Sequence, residues 1–476
     1  HVGSMAVYDL VIVGGGSAGL TAAEFAIQLG LNTALVEKDR IGGDCTWTGC
    51  IPSKSLLQIG KTAQIMRSAG DFGLMAAEPE VDLPVVMESI QEIIQGIYQE
   101  ESPQVLREKG VDVYLGAARF LDSNRIQVEN HETIQGRYFL IATGAHPEPP
   151  NIIGIDQVNY FTYESIWEMK KLPQKMIVLG AGTVGIELAQ AFQRLGSSIQ
   201  VVEVQNKILP GVDPEAAIIL QGKMESEGTR FILGANPGQI SESDGEIRLS
   251  IEENIISGDV LLVSTGRSPN VSGMNLDQAG VKFNRNGIVV NHHLQTSRKH
   301  IYAAGDCTGG PQFTHVAGWQ AFTAVRNAFL PGRAAGTIQR PIWTLFTDPE
   351  IAQVGMTASD ARKKYGKRVQ VDRRSLQQID RSHTDRSGPG FLEVIALTNG
   401  RILGAVIVSP RAGELIHEYA LAISNRIQIG QLAFTLHSYP TYSIGTMQLA
   451  AEIQTRRTLR GLPGHLLRAF ARYKFW

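Results

Sequence analysis

The sequence predicts an α/β fold built from two Rossmann-like dinucleotide-binding domains and a smaller third domain of mixed α+β structure. Three observations support this fold class. A strand, a glycine-rich turn and a helix recur in two copies with the same spacing, and a strand ending in Thr-Gly follows each copy. From residue 341 the pattern changes to alternating strands joined by tight turns. The length of 476 residues is enough for about three domains.

The first copy begins with residues 8–13, YDLVIV, an apolar run typical of a buried parallel strand. A helical pattern over residues 20–29 and a strand over residues 33–37 follow. The turn glycines between the first strand and the helix are Gly14, Gly16 and Gly19. Such glycines let the backbone approach a pyrophosphate at the helix N-terminus, and Glu37 can accept hydrogen bonds from a ribose. The complete pattern predicts a dinucleotide site.

The second copy has a strand at residues 175–179, a helix through residue 195 and a strand at residues 199–203. Its turn glycines are Gly180, Gly182 and Gly185. The first glycine and the final acid are 23 residues apart in both copies, at Gly14 and Glu37 and at Gly180 and Glu203. The strands that end in Thr-Gly cover residues 138–144 and 259–266. A second bound dinucleotide is therefore expected.

The order of these motifs predicts a discontinuous first domain. The Pro-rich residues 147–150 indicate a linker, and after residue 266 the chain returns to present Asp306 at the end of a strand. An acid in that position can bind the sugar hydroxyls of a cofactor or can cap a helix. The predicted domains are residues 5–147 with 267–340, residues 148–266 and residues 341–455, followed by a C-terminal tail at 456–476.

Composition excludes several classes of function. Lys and Arg total 44 against 46 for Asp and Glu, so the net charge of -2 gives no general attraction to nucleic acid. Three cysteines cannot form a disulfide framework, and we expect a reducing, cytoplasmic setting. The residues HVGS before Met5 are typical of a cloning remnant and are left out of the predicted fold.

Two of the three cysteines, Cys45 and Cys50, lie in residues 42–54, GGDCTWTGCIPSK. Five residues of regular helix turn through roughly 500°, which separates the two side chains, so a disulfide requires an irregular backbone here. The glycines Gly42, Gly43 and Gly49 allow one, and Pro52 suits the first turn of a helix that starts near Cys50. A helix start favours a thiolate. Spacing alone leaves open a redox-active pair or two unrelated thiols.

The C-terminal tail, residues 456–476, has six Lys or Arg and no acid. From His465 onward its apolar residues recur at helical spacing, with basic residues between them. Such an amphipathic helix can lie on an anionic membrane surface. The alternative is a terminal helix that packs on its own subunit or on a partner subunit.

With these residues in place, the chain resembles the flavin-dependent pyridine nucleotide-disulfide oxidoreductases, the family of glutathione reductase, dihydrolipoamide dehydrogenase and mercuric reductase. The resemblance rests on GGDC and GCIPSK within residues 42–54, on both glycine turns, and on the ATG, TGRSPN and YAAGD stretches. These motifs occur in the expected order from residue 7 to residue 452. Residues 346–357 and 390–416 resemble the family's dimerisation domain. A homodimer is therefore implied.

The resemblance implies that FAD occupies the first dinucleotide site and a nicotinamide cofactor the second. Around FAD it implies Gly14, Gly16, Gly19, Glu37, Gly43, Thr143, Gly144 and Asp306. Around the nicotinamide cofactor it implies Gly180, Gly182, Gly185, Glu203 and Gly266. A hydride would pass from nicotinamide to flavin, and electrons would then pass to a Cys45–Cys50 disulfide. Cys50 would be the thiolate nearer the flavin, Cys45 would meet the acceptor, and Lys54 and Glu187 would form an ion pair beside the flavin.

The charge at the end of the second dinucleotide motif predicts the nicotinamide cofactor. Glu203 can bind a free ribose 2′-hydroxyl and repels a 2′-phosphate. NADPH-dependent members of the family usually have Arg at or beside this position, whereas this chain has Glu203 and Val204. We expect NADH as the electron donor, with NADPH as the alternative.

The chain departs from the family near its C-terminus. Members that reduce disulfides carry a His-Pro followed by Glu, and general acid catalysis of that kind is worth roughly 100- to 10,000-fold. Here residues 437–444, HSYPTYSI, have Tyr439 before Pro440 and Ile444 in place of the Glu. A Tyr with a pKa of about 10 is a poor proton shuttle at neutral pH. His437, two residues early, is either a substitute proton donor or a packed or surface residue.

The leading hypothesis is therefore an NADH oxidoreductase whose small-molecule acceptor needs little proton delivery, such as a metal ion, a quinone or a small oxidant. Mercuric reductases share the altered stretch but end in a cysteine pair, and this chain has no Cys after Cys307, which we interpret as a buried small residue. One alternative is a disulfide reductase that uses His437. Another is a flavin-bound redox sensor or membrane-associated interaction protein that uses the basic tail.

Overall fold

The structure, a computed structural model, describes residues 7–473. The predicted remnant before Met5 and the tail residues Lys474 and Trp476 lie outside the described residues. The chain divides into two compact units. The first comprises the residues up to Ile208 together with Glu227–Gln339, and the second comprises Leu209–Ser226 together with the residues from Arg340 on.

Strands and helices follow the predicted order along the chain. The strands of the first unit are β1 (Val7–Val13), β2 (Thr33–Glu37), β3 (Val111–Leu115), β4 (Ala118–Phe120), β5 (Arg125–Val128), β6 (Ile134–Ile141), β7 (Ala145–Pro147), β8 (Lys175–Leu179), β9 (Ser198–Glu203), β10 (Arg230–Leu233), β11 (Pro237–Ser243), β12 (Glu246–Ile251), β13 (Asn254–Gly258), β14 (Val260–Val263), β15 (Arg267–Pro269), β16 (Phe283–Asn284), β17 (Gly287–Ile288) and β18 (Ile301–Ala303). Those of the second unit are β19 (Trp343–Leu345), β20 (Glu350–Gly355), β21 (Val369–Ser375), β22 (Phe391–Leu397) and β23 (Ile402–Ser409). The helices are α1 (Ser17–Gln28), α2 (Gly43–Trp47), α3 (Cys50–Ser68), α4 (Leu83–Glu101), α5 (Pro103–Glu108), α6 (Thr183–Leu195), α7 (Pro214–Ser226), α8 (Thr314–Phe329), α9 (Ala358–Tyr365), α10 (Asp380–Thr384), α11 (Ala412–Ser424), α12 (Ile429–Leu432), α13 (Ile444–Thr458) and α14 (Gly461–Arg472).

The first motif lies on a sheet with the strand order β3-β2-β1-β6-β5-β4, in which β18 also pairs with β6. Strands β1, β2, β3, β6 and β18 run parallel. Helix α1 packs against α8, and small buried alanines of both helices join one apolar cluster with the sheet. The glycine turn after β1 therefore lies at the carboxyl edge of parallel strands, where open α/β sheets bind their ligands.

The second motif lies on a separate parallel sheet with the order β10-β9-β8-β14. Its helix α6 packs against α3, the helix that begins at Cys50. The predicted strands and helices of both motifs are confirmed, with ends that differ by at most three residues. The antiparallel strands β11, β12 and β13 were not predicted from the sequence.

The two strands predicted to end in Thr-Gly end three residues earlier than expected. β6 ends at Ile141 and β14 at Val263, so both Thr-Gly pairs lie in the loops that follow. Gly144 has a φ of +69°, which ends the extended backbone. The chain then forms β7, which pairs antiparallel with β15. Pro147, predicted to start a linker, is instead the last residue of a strand.

The second unit contains a five-stranded antiparallel sheet with the order β19-β20-β23-β22-β21. The prediction of antiparallel strands is confirmed. Every residue of β22 and β23 is buried. One face packs with α11 through Val394 and Ile407, and the other packs with Ala361 of α9 through Ile395. Both faces are covered, as in a buried central strand.

The chain ends in two helices, α13 and α14. α14 begins at Gly461, four residues before the predicted start at His465. Within residues 7–473, no helix combines the length and the apolar character needed to cross a membrane.

Candidate active site

The loop between Gly42 and Cys50 brings the two thiols together by an irregular path. Gly42 and Gly43 have φ values of +105° and +58°, which favour glycine. Cys45 lies in the short helix α2, and Cys50 is the first residue of α3. A Cβ on Gly49 would lie 2.8 Å from the backbone O of Asp44, so a larger residue cannot make this turn without displacing α2. Both cysteines are free thiols, and the two sulfur groups are hydrogen-bonded to each other.

The environment of Cys50 favours its thiolate. A hydrogen bond from the Cys45 thiol lowers the pKa of Cys50 to about 6, against the opposing effect of burial. The Thr314 hydroxyl, 3.2 Å from the Cys50 sulfur, and the charge of Lys54 act in the same direction. The same hydrogen bond and burial raise the pKa of Cys45. At neutral pH the pair therefore consists of a Cys50 thiolate and a Cys45 thiol.

The predicted partners Lys54 and Glu187 are brought together across α3 and α6. Lys54 Nζ lies 2.8 Å from Glu187 Oε2, and the Glu187 side chain is buried. Burial lowers the pKa of Lys54, but the charge and the hydrogen bond of Glu187, together with the nearby Cys50 thiolate, outweigh burial, and the pKa is raised. Lys54 therefore stays charged close to the thiol pair.

The first glycine turn has the close backbone contacts of a phosphate-binding turn. A Cβ on Gly14 would lie 2.2 Å from the backbone O of Ala142, and one on Gly19 would lie 1.9 Å from Gly14 O. Gly16 caps α1 without any side-chain hydrogen bond, which leaves the helix N-terminus open to a phosphate. Glu37 Oε2 accepts a 2.7 Å hydrogen bond from Gly15 N. These residues fit the pyrophosphate and ribose of a dinucleotide such as FAD.

The redox loop packs directly on this turn, because a Cβ on Gly43 would lie 2.7 Å from Gly16 Cα. Only a glycine fits between the two backbones. The predicted cofactor residue Gly43 thus links the thiol loop to the first dinucleotide turn.

The second glycine turn repeats the geometry of the first. A Cβ on Gly180 would lie 2.6 Å from Ser264 O, and one on Gly185 would lie 2.2 Å from Gly180 O. Gly182 caps α6 without a side-chain hydrogen bond and has open space beside its Cα. Glu203 Oε2 accepts from Ala181 N at 2.9 Å, as Glu37 accepts from Gly15 in the first turn. A second dinucleotide fits here.

The Thr-Gly loop after β6 is joined to the segment after β14. Thr143 Oγ1 donates to Asn270 O at 2.7 Å, and Asn270 Nδ2 donates to Thr143 O at 2.8 Å. Asn270 N donates to Gly144 O, and Gly266 O accepts from Glu148 N. The predicted residues Thr143, Gly144 and Gly266 therefore lie in the crossover between the two sheets of the first unit.

Arg267 connects Asp306 to the thiol loop. Its Nη1 lies 2.6 Å from Asp306 Oδ2, its Nη2 lies 2.5 Å from Asp44 Oδ2, and its Nε donates to Tyr163 Oη at 3.0 Å. Tyr163 in turn donates to Asp44 at 3.2 Å. Burial raises the pKa of Asp306 more than Arg267 lowers it. Asp306 was predicted to bind cofactor sugar hydroxyls. In this structure its Oδ2 forms the ion pair with Arg267.

A second contact holds the middle of the loop. The Trp167 Nε1 donates to Thr48 O at 2.9 Å and to Tyr163 O at 2.7 Å. The segment from Tyr163 to Trp167 therefore fixes the loop at Asp44 and at Thr48, on either side of Cys45.

In the second unit, His437 and Tyr439 are bound to protein acceptors. His437 Nδ1 lies 2.8 Å from Thr435 O, and Nε2 lies 2.9 Å from Glu418 Oε1. A neutral imidazole donates from only one nitrogen, and here both ring nitrogens lie within hydrogen-bond distance of an acceptor. Tyr439 Oη donates to Asp380 at 2.8 Å, and that hydrogen bond raises its pKa. Passing a proton onward requires His437 to leave one of its two partners.

Several side chains at this site were not singled out from the sequence, namely Asp44, Tyr163, Trp167, Arg267 and Thr314. Asp44 and Arg267 belong to stretches that the motifs had identified, but their pairing joins positions 223 residues apart. Thr314 lies 264 residues from Cys50 and carries no motif of its own. Only the fold brings these groups together.

The third cysteine is separate from this chemistry. Cys307 is fully buried, and its thiol donates to Ala304 O at 3.2 Å, as expected for a small packed residue. Burial raises its pKa to about 11. Between residues 7 and 473 there is no cluster of His, Cys, Asp and Glu that could hold a metal ion.

Comparison with known sequences gives consistent matches along the chain. The family described as pyridine nucleotide-disulphide oxidoreductase matches residues 8–321, and its dimerisation domain matches residues 342–449. A mercuric reductase of Bacillus cereus is 32% identical over 445 residues, covering 92% of this chain and 70% of that protein. A dihydrolipoyl dehydrogenase of Thermus scotoductus is 33% identical over 461 residues, covering 94% and 97%.

Two solved structures have a fold similar to that of this chain. LpdA from Mycobacterium tuberculosis has a TM-score of 0.87 at 28% identity, covering 94% of this chain and 100% of its own. The HOCl-induced flavoprotein disulfide reductase RclA from Escherichia coli, solved as a Cu(II) complex, has a TM-score of 0.85 at 26% identity, with coverage of 94% and 100%. The chain therefore belongs to the pyridine nucleotide-disulphide oxidoreductase family of FAD- and NAD(P)H-dependent enzymes, and it carries that family's dimerisation domain.

Proposed function

We propose that the chain is a homodimeric NADH oxidoreductase that passes electrons through FAD and the Cys45–Cys50 pair to a small-molecule acceptor. A metal ion, a quinone and a small oxidant are the candidate acceptors. The observation that carries this proposal is the thiol pair itself, with a Cys50 pKa of about 6 and a Cys45 pKa that is raised. The pair lies on a loop that packs on the first dinucleotide turn through Gly43 and Gly16.

The first glycine turn and Glu37 would hold FAD, which would supply a hydride acceptor for the nicotinamide cofactor and a two-electron donor for the Cys45–Cys50 disulfide. At neutral pH the reduced pair is a Cys50 thiolate and a Cys45 thiol, so its formation takes up one proton, held on the Cys45 sulfur. Lys54 and the Thr314 hydroxyl stabilise the thiolate. When an acceptor removes two electrons, the disulfide bond re-forms and that single proton is released.

The second unit supports an acceptor that needs little further proton delivery. A disulfide substrate leaves two thiolates to be protonated, whereas a metal ion takes electrons alone. His437 has both nitrogens on protein acceptors, and Tyr439 has a raised pKa. Mercuric reductases are among the relatives, and RclA was solved with Cu(II), which favours a metal ion.

We expect NADH rather than NADPH at the second dinucleotide turn. Glu203 Oε2 and Oε1 accept from Ala181 N and Gln205 N at 2.9 Å, which orients the carboxylate beside the turn. Its negative charge repels a 2′-phosphate, so kcat/KM should be at least about tenfold higher with NADH. Equal or higher kcat/KM with NADPH would contradict this preference.

The alternative enzyme is a disulfide reductase that uses His437 as its acid. Dihydrolipoyl dehydrogenases are also among the relatives, and the 2.9 Å contact of His437 with Glu418 is a carboxylate–imidazole pair of the kind that general acids use. This alternative requires efficient turnover with glutathione disulfide or lipoamide.

We also propose, separately from the redox reaction, that the basic tail at residues 456–476 serves association with a membrane or a protein subunit. A flavin-bound redox sensor without turnover is the alternative of another class. It predicts that NADH reduces the protein while no acceptor reoxidises it catalytically.

Anaerobic reduction by NADH, followed by a panel of acceptors, tests the proposed function. We expect mercuric or cupric ion, or a quinone, to give kcat/KM at least about tenfold above that of glutathione disulfide or lipoamide, because general acid assistance is weak. Faster turnover with the disulfides would support the reductase. No turnover with any acceptor would support the sensor.

A further inference from the structure

Helix α14 carries a row of exposed apolar side chains. Leu462, Leu466, Phe470 and Tyr473, the residue after the helix, are 74%, 64%, 72% and 68% exposed. At about 100° per residue, these four side chains fall within one arc of about 80°. An amphipathic helix of a globular protein normally turns such an arc toward its core. Here the arc faces solvent, so it is available to a partner.

The opposite side of α14 is basic. Arg468 lies about 160° and Arg472 about 120° around the helix from the middle of the apolar arc. Their side chains are exposed, and within residues 7–473 neither has a carboxylate partner. Residues 456–476 contain six Lys or Arg and no Asp or Glu, while the whole chain has a net charge of -2. Arg456, before α14, pairs with Asp372, so the unbalanced positive charge of α14 itself is that of Arg468 and Arg472.

The partner of α14 must provide apolar surface to cover the apolar arc and negative charge to bind Arg468 and Arg472. A second copy of α14 meeting the first across a twofold axis would bury the leucines but would supply no negative charge for the arginines. An anionic phospholipid bilayer supplies an apolar interior and negative headgroups at the same boundary. Charge complementarity therefore favours the bilayer.

We propose that α14 lies flat on an anionic bilayer, with Leu466 and Phe470 in the acyl region and Arg468 and Arg472 among the headgroups. Of the two partners proposed above for the tail, a membrane or a protein subunit, α14 therefore favours the membrane. The contact is peripheral, because α14 lies on the bilayer surface. It rests on α14 alone, so it holds whichever acceptor the enzyme reduces.

Co-sedimentation of the holoenzyme with vesicles tests this proposal. One set is neutral phosphatidylcholine, and the other contains added phosphatidylglycerol. Each basic residue near an anionic surface adds about a fivefold gain in binding, so R468Q/R472Q should lower binding to anionic vesicles about 25-fold. L466S/F470S should lower it at least about tenfold through loss of apolar burial.

The matched control is L74S/M75S, which removes two equally exposed apolar side chains, 68% and 96% exposed, from the first unit. It should bind anionic vesicles as the unaltered protein does. NADH-dependent turnover in solution should be unchanged in all three double variants, which separates this proposal from the proposed function.

Equal binding of the unaltered protein to both kinds of vesicle would overturn the proposal. So would unchanged vesicle binding by L466S/F470S. A loss of subunit assembly by L466S/F470S in analytical ultracentrifugation, without vesicle binding by the unaltered protein, would make α14 a contact between copies of the chain instead.

Discussion

The thiol loop at residues 42–54 and the C-terminal stretch at residues 437–444 differ in how their side chains are held. In the loop, Asp44, Thr48 and Lys54 are each bound by a residue more than 100 positions away in the chain. In the C-terminal stretch, Tyr439 is 66% exposed and Pro440 is exposed beside it. The loop keeps every residue that electron transfer through a dithiol requires, while the stretch lacks the His-Pro and Glu pattern expected of a proton donor. On the proposed function, this chain retains the thiol pair that receives electrons while its C-terminal stretch differs from a proton donor's.

The largest expected effect comes from breaking the thiol pair. C45S or C50S should reduce turnover with every acceptor by at least about 1,000-fold, because the covalent redox step is lost. Steady-state assays with NADH and each acceptor measure this. C307A is the matched control and should keep turnover, since Cys307 is buried away from the pair. Full turnover by C45S would remove the disulfide from the pathway.

The next effect concerns the charge beside Cys50. Lys54 lowers the pKa of Cys50 and Glu187 raises it. K54M should therefore raise that pKa from about 6 by at least roughly one unit, and E187Q should lower it. Because the pKa of Cys50 is lower in the folded protein than in an unfolded chain, its thiolate stabilises the fold. This stabilisation is present above the ordinary thiol pKa and is lost as pH falls through about 6. K54M should therefore move the loss of stability to higher pH.

Ultraviolet absorbance of the thiolate against pH, in the reduced protein, measures both shifts. R67M is the control, because Arg67 lies on the same helix and pairs with the exposed Glu78 instead. Shifts of K54M and E187Q in the same direction would contradict the assigned roles.

A smaller effect is expected where Arg267 braces the loop. D44N removes one of the two carboxylates that hold Arg267, and Asp44 is partly exposed. We expect alkylation of Cys45 in the reduced protein to become about two- to fivefold faster. The effect is small because loss of a partly exposed ion pair weakens the loop by only a modest free energy. D122N is the matched control, since the Asp122 side chain is as exposed as that of Asp44 and pairs with Arg125 in a hairpin. Equal alkylation rates in D44N and D122N would show that the brace does not position Cys45.

The smallest effect is expected at the C-terminal stretch. H437A should change turnover with a metal ion or a quinone by less than about threefold, because no general acid is needed for these acceptors. The measurement is kcat against pH for each acceptor. A loss of roughly 100- to 10,000-fold with a disulfide substrate would instead assign His437 the role of the acid.

Strong local patterns explain why much of the fold was predictable. The apolar strands, the glycine turns and the acids Glu37 and Glu203 were found because each lies within a short segment of regular spacing. The contacts around the thiols were not predictable, because Thr314 and Arg267 reach them across long separations in the chain. The pairing of His437 with Glu418 was missed for the same reason, since it depends on the position of α11.

The complete burial of β22 and β23 was not predicted from the sequence, for a physical reason. α9 and α11 cover opposite faces of their sheet, and the sequence of a strand does not show how many helices will pack on it.

Alkylation of the cysteines before and after anaerobic reduction by NADH, with identification by mass spectrometry, tests directly whether electrons pass through the Cys45–Cys50 pair. We expect Cys45 and Cys50 to be protected in the oxidised holoenzyme, to become alkylated after NADH reduction, and to be protected again once an acceptor is added. If both cysteines are alkylated equally before and after reduction while the flavin is bleached, electrons do not pass through this pair.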